Sequence, residues 1–160
     1  MVKVEILDRT KKKKVLEVLK EAYGIEDLPY MFIKTGKDKV RIFSGEMSWD
    51  EINEFSKKVN VEIIGVPLCT FVEENVTRIN FDVANLPLVK KSVSENIFEI
   101  NDSQLSEWLK GNNLNLNPET SKKLTSSFVM VSHKGDFVGV GKIREGYIQN
   151  YVPKERRVKG

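Results

Sequence analysis

The stretch FVMVSHKGDFVGVGKI, residues 128–143, decides the fold of the second half of the chain. Two apolar, β-branched segments, Phe128 to Ser132 and Phe137 to Ile143, flank the four residues His133-Lys134-Gly135-Asp136. This pattern predicts two antiparallel strands joined by a tight hairpin. Gly139-Val140-Gly141 resembles a fragment of a nucleotide-binding loop, but it lies inside a strand rather than between a strand and a helix. Close packing of the strand is therefore the expected role of these glycines.

Other short elements surround this hairpin. Phe98 to Ile100 and Tyr147 to Val152 are predicted strands. Between them we expect one brief helix, capped by Asn101 or Asp102 and ended by Gly111. Many short strands and a single helix within about 70 residues are typical of a small β-barrel.

The first half mixes helices with strands. Apolar residues recur at three- and four-residue spacing from Arg9 to Tyr23, which predicts a one-faced helix ended by Gly24. Ser48 and Glu51 have the spacing of a capping box and open a second predicted helix, with Ile52, Phe55 and Val59 on its buried face. Lys3 to Leu7, Tyr30 to Lys34 and Lys39 to Ser44 are predicted strands.

The predicted fold class is α+β, with an N-terminal α/β domain over residues 1–92 and a small β-barrel over residues 93–160. The boundary is placed near Ser92 to Ser94, where polar residues separate apolar segments.

Charge and composition favour a soluble protein with a polyanionic partner. The formal net charge is +3, but residues 134–160 alone contain seven basic side chains and three acidic ones. Positive charge concentrated at one end is typical of proteins that bind polyanions. No apolar run approaches the roughly 20 residues that span a bilayer, so we expect a cytoplasmic protein without a membrane partner.

Side chains suited to catalysis are scarce. Cys69 is the single cysteine and lies in an apolar strand, so we interpret it as a buried structural thiol. His133 is the single histidine, and we interpret it as a surface turn residue. With no cofactor loop and no metal-binding cluster in the sequence, we expect no catalytic residue, no metal and no cofactor. A cryptic RNA-modifying enzyme remains the least favoured alternative.

Four consecutive lysines, Lys11, Lys12, Lys13 and Lys14, lie in the first turn of the first predicted helix. The helix dipole disfavours cations there by a few tenths of a kcal/mol each. Two explanations stay open: phosphate contact, or a solvated lysine face.

Basic residues alternate with Tyr147 and Tyr151 from Lys142 to Arg157. Cations can hold phosphates while aromatic faces and amide edges meet unstacked bases. Packing of the two tyrosines into the barrel is an equal alternative.

At these residues the sequence resembles the PUA domain, a family named for pseudouridine synthases and archaeosine transglycosylases. The pattern GDFVGVGK at 135–142 and the ending IQNYVPKERR at 148–157 are similar to the PUA-like C-terminal region of RsmF-type rRNA cytosine methyltransferases of the Nol/Nop/Sun class. The overall layout also resembles small archaeal and eukaryotic ribosome-biogenesis proteins with a pre-PUA domain before a PUA domain. The chain lacks the methyltransferases' S-adenosylmethionine domain and Pro-Cys motif.

The resemblance implies non-catalytic binding of structured RNA, with rRNA favoured over tRNA, in ribosome biogenesis or rRNA modification. A methyltransferase or ribosome-assembly protein is a possible partner. The alternative is a protein-interaction adaptor for an RNA methyltransferase or ribosomal protein. Phosphate contacts are expected from Lys142, Arg144, Lys154, Arg156 and Arg157. Close approach to the RNA backbone is expected at Lys110, Gly111 and Asn112, and base contacts are expected from Asn150 and Tyr151.

Overall fold

The computed structural model describes residues 4–61 and 63–160, so Lys3 of the first predicted strand lies outside the described residues. The elements, in chain order, are β1 Val4–Ile6, α1 Arg9–Tyr23, β2 Met31–Thr35, β3 Lys39–Phe43, α2 Trp49–Lys58, β4 Val66–Glu73, β5 Val76–Ile79, α3 Pro87–Ser92, β6 Ile97–Glu99, α4 Asp102–Leu109, β7 Leu114–Asn115, α5 Pro118–Lys123, β8 Phe128–His133, β9 Asp136–Arg144 and β10 Tyr147–Asn150. Two single-turn 3-10 helices cover Phe81–Val83 and Lys154–Arg156.

The first sheet is an antiparallel meander in the order β1-β2-β3-β4-β5. The helix α1 has the predicted bounds, begins at the Asp8 cap and ends at Gly24, whose φ of 74° suits glycine. The capping box between Ser48 and Glu51 is also confirmed. The predicted buried face of α2 is wrong at two of its three positions: Ile52 is buried, but Phe55 and Val59 are about half exposed. The apolar stripe of α2 is therefore wider than the part of the helix that packs against the core.

The second sheet is a half-barrel in the order β6-β8-β9-β10-β7. The strand β6 pairs with β8 in parallel, whereas the other neighbours are antiparallel. The predicted hairpin is confirmed, and its two central residues, Lys134 and Gly135, both have positive φ, as a two-residue turn between twisted strands requires. Two helices were not predicted: α3, which begins at Pro87, and α5, which begins at Pro118.

Both faces of the second sheet are covered. Along β8, Phe128 and Met130 belong to one core and Val129 and Val131 to another. The first core includes the buried side chains of α1 and the first sheet, whereas the second is built around Trp108 of α4. The strand alternation therefore buries one face against the N-terminal half and the other against α4.

The glycines in β9 are explained by Trp108 and Ile148. A Cβ at Gly139 would lie 2.7 Å from Trp108 Nε1, and one at Gly141 would collide with Ile148 Cγ2. The indole nitrogen donates a hydrogen bond to Val138 O at 3.0 Å. The close-packing interpretation of this glycine pair is confirmed.

Polar contacts join the two halves where α3 leads into β6. Ser94 N and Glu95 N both donate to Tyr23 O at the end of α1. The buried side chain of Asn96 donates to Ala22 O at 2.6 Å and accepts from the backbone of Thr125 at 2.7 Å. The first core therefore continues across the predicted boundary at Ser92 to Ser94, and the division into two domains stays a prediction.

We predict that Asn96→Ala lowers the free energy of unfolding by about 2–4 kcal/mol, because it leaves several part-buried backbone groups without partners and removes a residue suited to φ of 55°. Urea denaturation measures the change. Asn115→Ala, on an exposed edge position, is the matched control and should change stability by less than about 0.5 kcal/mol. Equal effects of the two substitutions would contradict the proposed role of Asn96 in joining the two halves of the chain.

Candidate nucleic-acid interface

A continuous row of cations and aromatic rings crosses from the first sheet to the second. Arg78 of β5 places its Cζ over the Tyr151 ring, 5.1 Å from the centroid. Tyr151 meets Phe128 edge to face, with ring centroids 5.5 Å apart. Lys142 Nζ lies over the Phe128 ring at 5.7 Å. Arg144 follows two residues later on the same strand, and therefore on the same face. We call Arg78, Tyr151, Phe128, Lys142 and Arg144 the cation–aromatic strip.

The cations of this strip remain available to an anionic ligand. Among the described residues, neither Arg78 nor Lys142 forms an ion pair or a side-chain hydrogen bond. Arg144 Nε donates to the neutral Gln149 Oε1 at 2.9 Å, which leaves its charge uncompensated. Lys142, Arg144 and Tyr151 were predicted from the sequence and lie together in the structure.

Arg78 was missed by sequence reasoning. It lies on β5, far along the chain from the basic C-terminal segment, between the buried residues Thr77 and Ile79. That alternation signals only that its side chain lies on the less buried side of the strand. The packing of the two sheets, which no local pattern encodes, brings Arg78 to Tyr151.

The turn after α4 is occupied by the protein's own side chains. A Cβ at Gly111 would lie 2.7 Å from Arg157 Nε, so the open space at this glycine is filled by Arg157. Lys110 Nζ lies 3.5 Å from a Glu107 carboxylate oxygen, and Asn112 Nδ2 donates to the other at 2.6 Å. An RNA backbone could approach Gly111, as predicted, only if the Arg157 side chain moved away, and this approach stays a prediction.

Asn150, for which a base contact was predicted, lies inside the fold. Its side chain is buried, and its amide donates to Trp108 O at 2.7 Å and to Asn112 O at 3.0 Å. Its Oδ1 accepts from Val152 N at 2.8 Å. Asn150 is fully engaged in fastening α4 and the following turn to β10. Tyr151 packs between Phe128 and Arg78, and its contact with a base stays a prediction.

The remaining tail cations differ in their availability. Arg156 Nη2 pairs with Asp82 Oδ1 at 2.9 Å, and Arg157 Nε donates to Val152 O at 3.0 Å. Lys154 is exposed, and it makes no ion pair with any described residue. On α1, Lys12 Nζ donates to the carbonyl oxygens of Leu28 and Tyr30 at 2.9 and 2.8 Å, and Lys11 pairs with Glu5.

Residues 95–158, which contain the half-barrel and its tail, match the family model of the methyltransferase RsmF PUA domain. The second half of the chain resembles an RsmF PUA domain. A domain of this kind indicates RNA binding in general. No curated protein matches the chain at a significant level. We refer to residues 95–158 as the PUA-like domain.

Cys69 and His133, the side chains considered for catalysis, are not part of the cation–aromatic strip. Cys69 is buried, and burial raises the pKa of its thiol to about 11. His133, interpreted from the sequence as a surface turn residue, is the last residue of β8, where its side chain is 15% exposed and Nε2 lies 2.7 Å from Asp102 Oδ1. That hydrogen bond, with one from Lys134, holds the pKa of Asp102 below its usual value. Within residues 4–61 and 63–160, no group of three metal-ligating side chains gathers, and no helix is long and apolar enough to cross a bilayer.

We predict that Cys69 does not react with an aromatic disulfide reagent at pH 8 in the native protein. Its thiol is buried, and because its pKa of about 11 lies well above 8, the thiol stays protonated and unreactive. Addition of guanidinium should release the reaction, and absorbance of the liberated thiolate measures it. Rapid modification of the native protein would show that the strand β4 opens or that the thiol is accessible.

We predict that Asn150→Ala lowers the free energy of unfolding by about 2–4 kcal/mol, because Trp108 O, Asn112 O and Val152 N lose their partner. Chemical denaturation measures the loss. The folded variant should bind RNA with the same preference among sequences as the wild type. Altered preference with unchanged stability would restore Asn150 to a role in base contact.

Proposed function

We propose that this protein binds structured RNA without catalysing a reaction on it, and that its RNA is ribosomal, bound during ribosome biogenesis or rRNA modification. The observation that carries the proposal is the cation–aromatic strip of the PUA-like domain, where uncompensated cations stand beside aromatic rings. Cations of this kind bind phosphates, and their release of counterions supplies much of the affinity. Transfer RNA is the second candidate.

Support for a non-catalytic role comes from the state of the reactive groups. The Cys69 thiol is buried with a raised pKa, so it is a poor nucleophile. Support for ribosomal RNA comes from the similarity of residues 95–158 to the PUA domain of RsmF. We further propose that the N-terminal half is a pre-PUA-like domain that supports and extends the RNA-binding surface. The shared core of the two sheets supports that arrangement.

An adaptor function is the second candidate, and one observation favours it. Large apolar side chains are exposed on and around α2, among them Trp49, Phe55 and Ile63. Exposed large apolar side chains are typical of protein contact surfaces where they form one patch. The two functions differ in salt dependence: RNA binding weakens steeply as salt rises, whereas apolar docking of a methyltransferase or ribosomal protein does not.

We predict that exchanging Lys142 and Arg144 together for Gln weakens binding across RNA sequences. If each contacts one phosphate, the slope of log affinity against log salt should shrink by about 1.4–1.8. Fluorescence anisotropy with a labelled stem–loop RNA, at several salt concentrations, measures both quantities.

Lys57 and Lys58, exposed in the last turn of α2, provide the matched control, because their exchange for Gln removes the same charge from another surface. This control should leave the slope unchanged. A slope that falls equally in both double variants would show general electrostatic attraction rather than a site. If the wild-type affinity for RNA does not depend on salt, phosphate contacts do not drive binding, and the adaptor function is favoured.

A further inference from the structure

We infer that Arg78 is a stacking platform for one unpaired base of the bound RNA, so that the RNA-binding surface includes a residue of the N-terminal sheet. The inference rests on the proposed function, since it assigns a role within the same strip. It goes further by naming an unpaired nucleotide as the element that is recognised at the junction of the two sheets.

Arg78 is held at this junction by an aromatic ring rather than by an acid. Its Cζ lies over Tyr151 at 5.1 Å, within the range of a favourable cation–π contact. No described carboxylate pairs with it. Arg78 as a whole residue is half-buried, so it is not closed off from solvent. A planar cation that rests on a ring and keeps an accessible surface is prepared to take a second planar group.

Tyr151 itself is poorly placed for that second group. Phe128 approaches it edge to face, and Arg78 covers its face. A base that approaches this point from solvent therefore meets the guanidinium before the phenol ring. Arginine planes stack on unstacked bases, and stacking of this kind tolerates any base because each has a π-face.

The neighbouring cations can bind the phosphates of the same RNA strand whose base stacks on Arg78. Lys142 contacts the Phe128 ring whereas Arg78 contacts the Tyr151 ring, and Arg144 follows Lys142 by two residues on β9. Phosphates would follow Lys142 and Arg144 while the unpaired base turns toward Arg78. The strip thus combines charge for the backbone with one planar contact for a base.

Arg78→Lys separates stacking from phosphate contact, because lysine keeps the charge and loses the plane. The probe is a labelled stem–loop RNA carrying five unpaired adenosines, compared with the same RNA in which these five are abasic ribose phosphates. Arg9→Lys, at an exposed arginine on α1, is the matched control. Tyr151→Leu is a second variant, because it removes the ring that holds Arg78. Circular dichroism and thermal unfolding verify that each variant folds.

The wild type should bind the adenosine probe more tightly than the abasic probe, by roughly fivefold or more. Arg78→Lys and Tyr151→Leu should lose that difference and bind the abasic probe as the wild type does, with an unaltered salt slope. Arg9→Lys should behave as the wild type. If Arg78→Lys retains the full preference for adenosine, or if the wild type shows none, the stacking role is wrong and the proposed RNA binding still stands. Wild-type protein that binds neither probe would overturn the proposed function itself.

Discussion

The second sheet is buried on both faces, and the rest of the structure follows from that constraint. On one face Trp108 leaves no room for a Cβ at Gly139, and Ile148 leaves none at Gly141. On the other, Phe128, Met130 and Val140 complete the core of the N-terminal half. A sheet with two covered faces can present side chains to a ligand only where the cover ends. Lys142 and Arg144 lie at that end of β9, next to the tail that follows β10.

The same constraint makes the N-terminal half part of the candidate interface. Its contacts with the PUA-like domain include a shared core, the hydrogen bond from Asn96 to Ala22 O and the paired hydrogen bonds between Asn85 and Phe137. Fastened in this way, the edge strand β5 brings Arg78 against Tyr151. An independent PUA-like domain joined by a flexible linker would offer Tyr151 without its cation. The position of Arg78 is therefore a consequence of packing between the sheets.

Elements set by local interactions were predicted well from the sequence. The helix α1 with Gly24, the capping box at Ser48 and the β8–β9 hairpin each depend on residues within a few positions of one another. The sequence showed less where a residue's surroundings depend on distant partners. Asn150 lies in a basic segment, but its side chain bonds three backbone groups of the fold. Gly111 looked open, but Arg157, which is remote in sequence, fills the space.

A count of charges along the sequence overstates the number of cations that can bind RNA. The strength of the contacts that each cation already makes determines how easily it can bind a phosphate instead. Breaking an exposed ion pair such as Arg156–Asp82 costs at most about 1 kcal/mol, so Arg156 can still exchange its carboxylate for a phosphate. Lys12 is different, because it would surrender two carbonyl partners and a ring beneath it. Hydrogen bonds to a charged group contribute about 1.5–3 kcal/mol each, and Lys12 would have to give up two of them to turn toward a phosphate. The lysine cluster of α1 is therefore divided: Lys12 stabilises the fold, and only Lys13 and Lys14 stand exposed without an ion pair among the described residues.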